Sequence, residues 1–268
     1  MGWISIGWGK IIKEALIFGV SPKRFLPYFI ADVTATALGL CYIFLNSSLV
    51  MEYSLSLETG TIPSPEFASA IAPLLLLFLV WYLVKVYIDA AVMKQVLNPK
   101  PKDFGKCWTG SKKIYPVFLI TAIIVGLATT LVGMMGDITG DILTIIATLL
   151  LMFALPAVIV DKKNIAESLS KSIDIFRKRW MHVLLSLLFI TVTSFFIALI
   201  AIIPTLILFS GAVIQFFTTN MIETEMLFYI MQNSLLLIIC GLVFMVGWAM
   251  ISAVKTNLLV TLYRKLNK

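Results

Sequence analysis

Few side chains in this chain are equipped for chemistry, and five of them fall within or at the edges of long apolar runs. Asp32 stands seven residues into the first run. Lys85 and Asp89 lie near the end of the second, and Lys255 and Asn257 occupy the comparable stretch of the last. Lys85 and Asp89 are four apart, which places them on one face of a helix. A charged group at the centre of a membrane span costs about 2.5–3.5 kcal/mol on insertion scales. Each must therefore pair, snorkel to an interface or line a polar cavity. Asp32 is the hardest to dismiss, because helical rise puts it about 10 Å into its run. Lys85 and Lys255 are the cations at similar depth, and Lys85 is the preferred partner because the first two runs would form one hairpin. Two readings of this cluster stay open. It lines a cytoplasm-facing cavity for a solute, an ion or a lipid headgroup, or its members are neutralised by neighbours and by snorkelling.

Other chemistries find no support in the residues. His182 is the single histidine, so neither a His pair nor a metal site can be built around it. Ser168, Ser170 and Ser172 have no spaced His and Asp to activate them. GxGxxG, GxxxxGK[ST] and HExxH are all absent from the sequence. The three cysteines, Cys41, Cys107 and Cys240, are an odd count without a CxxC pair, which supports neither a disulfide framework nor zinc. Cys41 and Cys240 lie in apolar runs and read as small buried hydrophobes. No cofactor and no enzymatic activity are expected.

Composition explains why. Hydrophobic residues make up 60% of the 268 and charged residues 13%, against about 45–50% and about 25% in soluble domains. So few charges cannot cover a water-facing surface of this size. A soluble enzyme, a disordered chain and a secreted disulfide scaffold are excluded, and an integral membrane protein is expected. The net charge of +7 comes from 21 Lys and Arg against 14 Asp and Glu. The basic residues fall between apolar runs rather than on a soluble face. Nucleic acid is therefore not an expected partner, and anionic lipid headgroups are.

About 20 apolar residues are needed to cross ~30 Å of hydrocarbon as a helix. Six runs qualify, at 25–49, 68–92, 114–135, 142–160, 183–209 and 227–254. Barrel-type alternation is absent, so the class is all-α. Residues 183–217 carry no charge; at roughly 52 Å this is too long for one span and short of two. Pro204 predicts one kinked helix whose remainder lies along the outer interface. The segment before residue 25 lacks a signal-peptide layout, so the first span is expected to act as an uncleaved insertion signal.

Charge sets the orientation. The connections after runs one, three and five carry Glu52, Glu58, Glu66, Asp137, Asp141, Glu223 and Glu225 and no Lys or Arg. The basic residues lie in 1–24, 94–113, 161–180 and 263–268, with Lys85 and Lys255 near the same side. The positive-inside rule then places both termini in the cytoplasm of a cell-membrane protein.

The chain also reads as three units, about 1–97, 98–162 and 163–268, forming one polytopic membrane domain. In each, a basic pair leads directly into a span: Lys23-Arg24 before Phe25-Leu26-Pro27, Lys112-Lys113 before Ile114-Tyr115-Pro116, and Lys178-Arg179 before Trp180-Met181-His182. Each unit is an interfacial amphipathic segment followed by a helical hairpin. The clearest such segment is 164–180. Asn164 with Glu167 resembles a capping box, and Ile165, Leu169, Ile173, Phe176 and Trp180 recur on one face. Lys162, Lys163, Lys171, Arg177, Lys178 and Arg179 form a candidate lipid-facing basic cluster. Such a helix lies among headgroups or packs on the bundle, and both readings stay open. Ala31, Ala35 and Gly39, and Ala122, Gly126 and Thr130, offer small residues at four-residue spacing for close helix packing.

This organisation, with the run Leu155-Pro156-Ala157-Val158-Ile159-Val160-Asp161 followed by Ala166-Glu167-Ser168-Leu169-Ser170-Lys171-Ser172, resembles a known group. It is similar to the six-span bacterial and archaeal proteins related to the membrane domain of glycerophosphoryl-diester phosphodiesterases and to YciC-type proteins. In those phosphodiesterases catalysis belongs to a separate soluble domain. The resemblance therefore implies a membrane module without enzyme activity. The basic inner face separately leads to the expectation of a partner membrane protein or a second copy of the chain. The rival expectation is a small transporter or channel using Asp32, Lys85 and Asp89. Against it, 74–80, 143–153 and 235–246 offer only Thr144, Thr148 and Cys240 as polar lining, and a permeation path usually needs more.

Overall fold

The computed structural model describes residues 7–48, 65–219 and 232–267. Glu52, Glu58, Glu223 and Glu225, and the ends of expected spans at Leu49 and Leu227, lie outside them. The described residues are helical, with no strand among them. In chain order the helices are α1 (Trp8–Val20), α2 (Pro22–Leu45), α3 (Pro65–Leu97), α4 (Phe104–Ser111), α5 (Tyr115–Gly133), α6 (Asp137–Leu151), α7 (Ala154–Val160), α8 (Ile165–Thr219) and α9 (Ser234–Leu266). A 3₁₀ turn, Pro101–Asp103, precedes α4. Six helical stretches are long and apolar enough to cross a membrane, the architecture of a multi-pass membrane protein.

Proline marks several helix starts, since its missing N–H costs nothing in a first turn. Pro22 opens α2, Pro65 opens α3 and Pro116 stands in the first turn of α5. The sequence places Pro27 at such a start, but α2 begins at Pro22 and carries Pro27 inside it. There it deprives the Lys23 carbonyl of its helical donor, a loss confined to the first turn of α2.

The fourth expected span is two helices. Pro156 cannot donate to the carbonyl of Met152 and crowds it, and the chain turns at Met152 and Phe153 between α6 and α7. The break is repaired from outside. Ser172 Oγ on α8 donates to the Leu150 carbonyl at 2.6 Å and accepts from the Phe153 N–H at 3.2 Å. In α8 the departure from helical geometry is at Arg179 (φ −142°, ψ 37°), and the helix continues through Pro204. The sharp bend thus comes 25 residues earlier than the proline suggests, where the basic stretch 177–179 meets the apolar run.

Buried residues concentrate at the basic end of the bundle, where three packed clusters share α9. Ile11, Ile175, Leu258 and Leu262 belong to the first, Phe118, Val158 and Val260 to the second, and Phe18, Val92 and Ala253 to the third. The sixth span was expected to end at Val254, yet α9 runs three turns further and those turns are its most buried part. Elsewhere large apolar side chains such as Leu75, Ile138 and Leu235 are exposed. In water such a surface would drive aggregation, and in a bilayer it is the proper solvent-facing side. Two glycines permit the closest helix approaches. A Cβ at Gly19 would overlap Val254, and one at Gly247 would overlap Ala201.

Candidate functional site

α2 and α3 run antiparallel, so four residues along one correspond to four residues back along the other. Tyr28 and Asp32 on α2 meet Asp89, Lys85 and Trp81 on α3 in that order. Asp32, buried, accepts from Lys85 Nζ at 3.1 and 3.3 Å and from Trp81 Nε1 at 2.9 Å. Lys85 Nζ also stands 4.7 Å from the centre of the Trp81 ring, where the ring's quadrupole adds to the attraction. One turn nearer the basic end, Tyr28 Oη donates to Asp89 at 2.7 Å and lies 3.3 Å from Thr256 Oγ1 on α9. The ladder joins three helices.

The candidate polar cluster is thus assembled in part. Asp32, Lys85 and Asp89 share the α2–α3 seam, and Lys255, though exposed, is an electrostatic neighbour of Asp89. Asn257 stands apart; it is buried and accepts from Thr261 on its own helix at 3.3 Å. Tyr28, Trp81 and Thr256 were not anticipated. Their signal was available, since Tyr28 and Trp81 each precede a charged residue by four positions. Beside the ladder an open groove of about 670 Å³ lies between α2, α3 and α9, with Asp32 at one end and Leu77, Phe78, Phe244 and Trp248 among its walls. Apart from Asp32 and Thr36 the walls are made of apolar and aromatic side chains. The carboxylate is occupied by two donors, so the arrangement serves better to fasten helices than to move protons.

The candidate basic cluster divides. Lys162, with φ 53°, lies exposed in the short link between α7 and α8. Lys163 pairs with Glu167 at 3.1 Å. Arg177 and Lys178 are exposed and Lys171 half-buried. Arg179 does not join them; it is half-buried and donates to the Lys265 carbonyl at 3.4 Å. A cation there complements the carbonyl end of α9. Asn164 caps α8 by accepting from the Glu167 N–H at 2.9 Å, and its amide donates to the Glu167 carboxylate at 3.1 Å.

Up to residue 180, the residues of α8 that turn fully inward are Ser168, Ser172 and Ile175. They lie about a quarter turn from the expected stripe at 100° per residue. That stripe is half-buried from Ile165 to Phe176, and Trp180 is exposed. The serines are packing residues: Ser168 Oγ bonds the Ile165 carbonyl and Ser172 closes the break before α7. A further tie was not foreseen. Asp161, at the end of α7, accepts from Tyr263 Oη at 2.5 Å and Asn267 Nδ2 at 3.0 Å, anchoring the last turn of α9.

Cys240 is buried as expected, whereas Cys41 is exposed on the apolar surface of α2 and Cys107 is the other buried thiol. Burial pushes the Cys107 thiol up from its ordinary value, which makes it a poor nucleophile. Among the described residues no group of three or more His, Cys, Asp or Glu could hold a metal ion. No family model, curated protein or solved structure matches the chain.

Proposed function

We propose that this chain is a non-enzymatic multi-pass membrane module whose basic end faces the cytoplasm and engages anionic lipid headgroups or the acidic surface of a partner membrane protein. The observation that carries the reading is charge segregation. Every Lys and Arg lies at the basic end or in the turns that lead to it, and the opposite connections hold only acidic charge. Lysines near an anionic surface contribute about 1 kcal/mol each, so even a few exposed ones suffice for a strong bias. Lys162, Arg177 and Lys178 are exposed and free to serve.

Three units of one interfacial helix and one hairpin form the framework of this proposal. α1, α4 and residues 165–178 each stand immediately before a pair of spanning helices, which supports that division. In the third unit, serines hold the helix on the bundle while the half-buried apolar stripe and the exposed cations remain available to headgroups. The transporter alternative loses support from the Asp32–Lys85 pair, because a neutralised charge beside an apolar groove is a poor polar pathway.

The test is lipid selectivity of the full chain. Purified protein is equilibrated with equal amounts of phosphatidylglycerol and phosphatidylcholine, and the lipids that stay bound are counted by mass spectrometry. Wild type should enrich phosphatidylglycerol, and the triple variant Lys171→Gln, Arg177→Gln, Lys178→Gln should lose much of that preference, as should wild type in high salt. Equal retention of both lipids by wild type would overturn the lipid reading.

A further inference from the structure

Gln95 is fully buried near the end of α3, and neither its amide nitrogen nor its amide oxygen has a hydrogen-bond partner among the described residues. An unpaired buried amide gives up its bonds to water with nothing in return, and such a group in a native structure asks for an explanation. Its place supplies one. Gln95 lines the basic end of a groove of about 540 Å³ between α2, α3 and α4. Tyr87 in the same groove is already satisfied, donating to the Trp108 carbonyl at 2.7 Å. The Gln95 amide is therefore the buried polar side chain of the groove left without a partner among the described residues.

The groove is graded along its length. Lys23 stands at the basic end, and Leu26, Ile30 and Val84 carry it towards the middle of the bundle. Arg24 is stacked over the Phe18 ring at 3.8 Å and lies 5.2 Å from the centre of Phe104, a groove residue. Its Nε is buried and unpartnered as well. Neither Lys23 nor Arg24 has a carboxylate partner among the described residues. From Gln95 to Val84 is about 16 Å along α3 by helical rise, which matches one leaflet of a ~30 Å hydrocarbon core. Cations and an unpaired amide at the basic end, with one leaflet's depth of apolar wall leading from them towards the middle of the bundle, match the phosphate and glycerol ester of a lipid headgroup and the acyl chain that follows.

We propose that this groove is a specific binding site for one anionic phospholipid. Its phosphate sits between Lys23 and Arg24, its ester oxygen accepts from Gln95, and its chain lies along Leu26, Ile30 and Val84. The site deepens the lipid-engaging reading above and rests on it, but uses none of Lys171, Arg177 and Lys178.

Native mass spectrometry of the full chain titrated with phosphatidylglycerol tests it, with melting temperature as a second readout. Wild type should hold one phosphatidylglycerol more tightly than any other lipid. Gln95→Met, which keeps the volume and removes the amide, should weaken that lipid about tenfold, while the lipid-stripped variant melts no lower than wild type. Leu26→Trp, at an exposed position of the wall, should block the lipid without touching the interior. Lys23→Ala should shift the site from phosphatidylglycerol towards phosphatidylcholine. Inorganic phosphate alone should neither bind at comparable concentration nor raise the melting temperature. Undiminished retention by both Gln95→Met and Leu26→Trp would overturn the site, as would equal protection by inorganic phosphate. The two readings fail separately. Loss of general phosphatidylglycerol preference with one groove lipid retained removes only the broader proposal. Preserved preference with no effect of the groove variants removes only this one.

Discussion

A single carboxylate buried in a span forces the structure around it. Asp32 takes two donors, Lys85 and Trp81, from one face of α3. Replacing Asp32 by Asn keeps an acceptor for Trp81 but leaves a partly buried lysine without its counter-charge. Asp32→Asn should therefore cost about 1–3 kcal/mol in the detergent-solubilised protein, and Lys85→Met a similar amount. The double variant should cost less than the two summed, with a coupling of about 0.5–3 kcal/mol. Thermal unfolding of all four forms measures it, and strict additivity would mean that the two groups do not stabilise one another. The pairing of Asp32 with Lys85 was legible in the sequence because two charges at similar depth in consecutive runs have few other partners. Tyr28 and Trp81 carried a signal in their four-residue spacing from a charge, but it is easily overlooked beside their bulk, and Thr256 is lost in an aliphatic helix. Gln95 left no trace at all; its isolation is created by packing, which no local pattern encodes.

At the scale of elements, the fourth span shows how the chain uses a defect. Pro156 breaks the helix, and one hydroxyl from a different helix satisfies both a carbonyl and an N–H at the gap. Ser172→Ala should leave both unpaired in a buried setting and cost about 1–3 kcal/mol. Ser168→Ala removes an equally buried hydroxyl that bonds its own helix, and should cost clearly less. Comparing the melting temperatures of the two variants is a direct check; equal losses would mean that the bridge across the break carries no special weight. The six apolar stretches and the Asn164 cap were legible because length and capping chemistry are local. The break at Met152 and Phe153 was not, although Pro156 stood in view, because an apolar run of the right length masks an interruption. The burial of Ser168 and Ser172 was hidden for the opposite reason: hydroxyls read as a solvated face until a neighbouring backbone needs them.

For the whole molecule the decisive quantity is orientation, and the proposed one rests on charge alone. Six crossings return the chain to the side on which it began, and the shared basic end gathers α1, the start of α8 and the end of α9 into one packed cluster. Positive residues resist translocation, so this end should remain in the cytoplasm. The described connection between α5 and α6, at the opposite end, offers a place to test it. Thr139 is exposed near the start of α6 and Asn98 is exposed just after α3. In a background with Cys41, Cys107 and Cys240 replaced by Ala, Thr139→Cys should react with a membrane-impermeant thiol reagent on intact cells. Asn98→Cys should react only after the membrane is opened. The reverse pattern would invert the molecule and turn its exposed lysines towards the outer leaflet. The groove lined by Gln95 would then draw its lipid from that leaflet, so the same two cysteines also decide which side of the bilayer supplies the occupant.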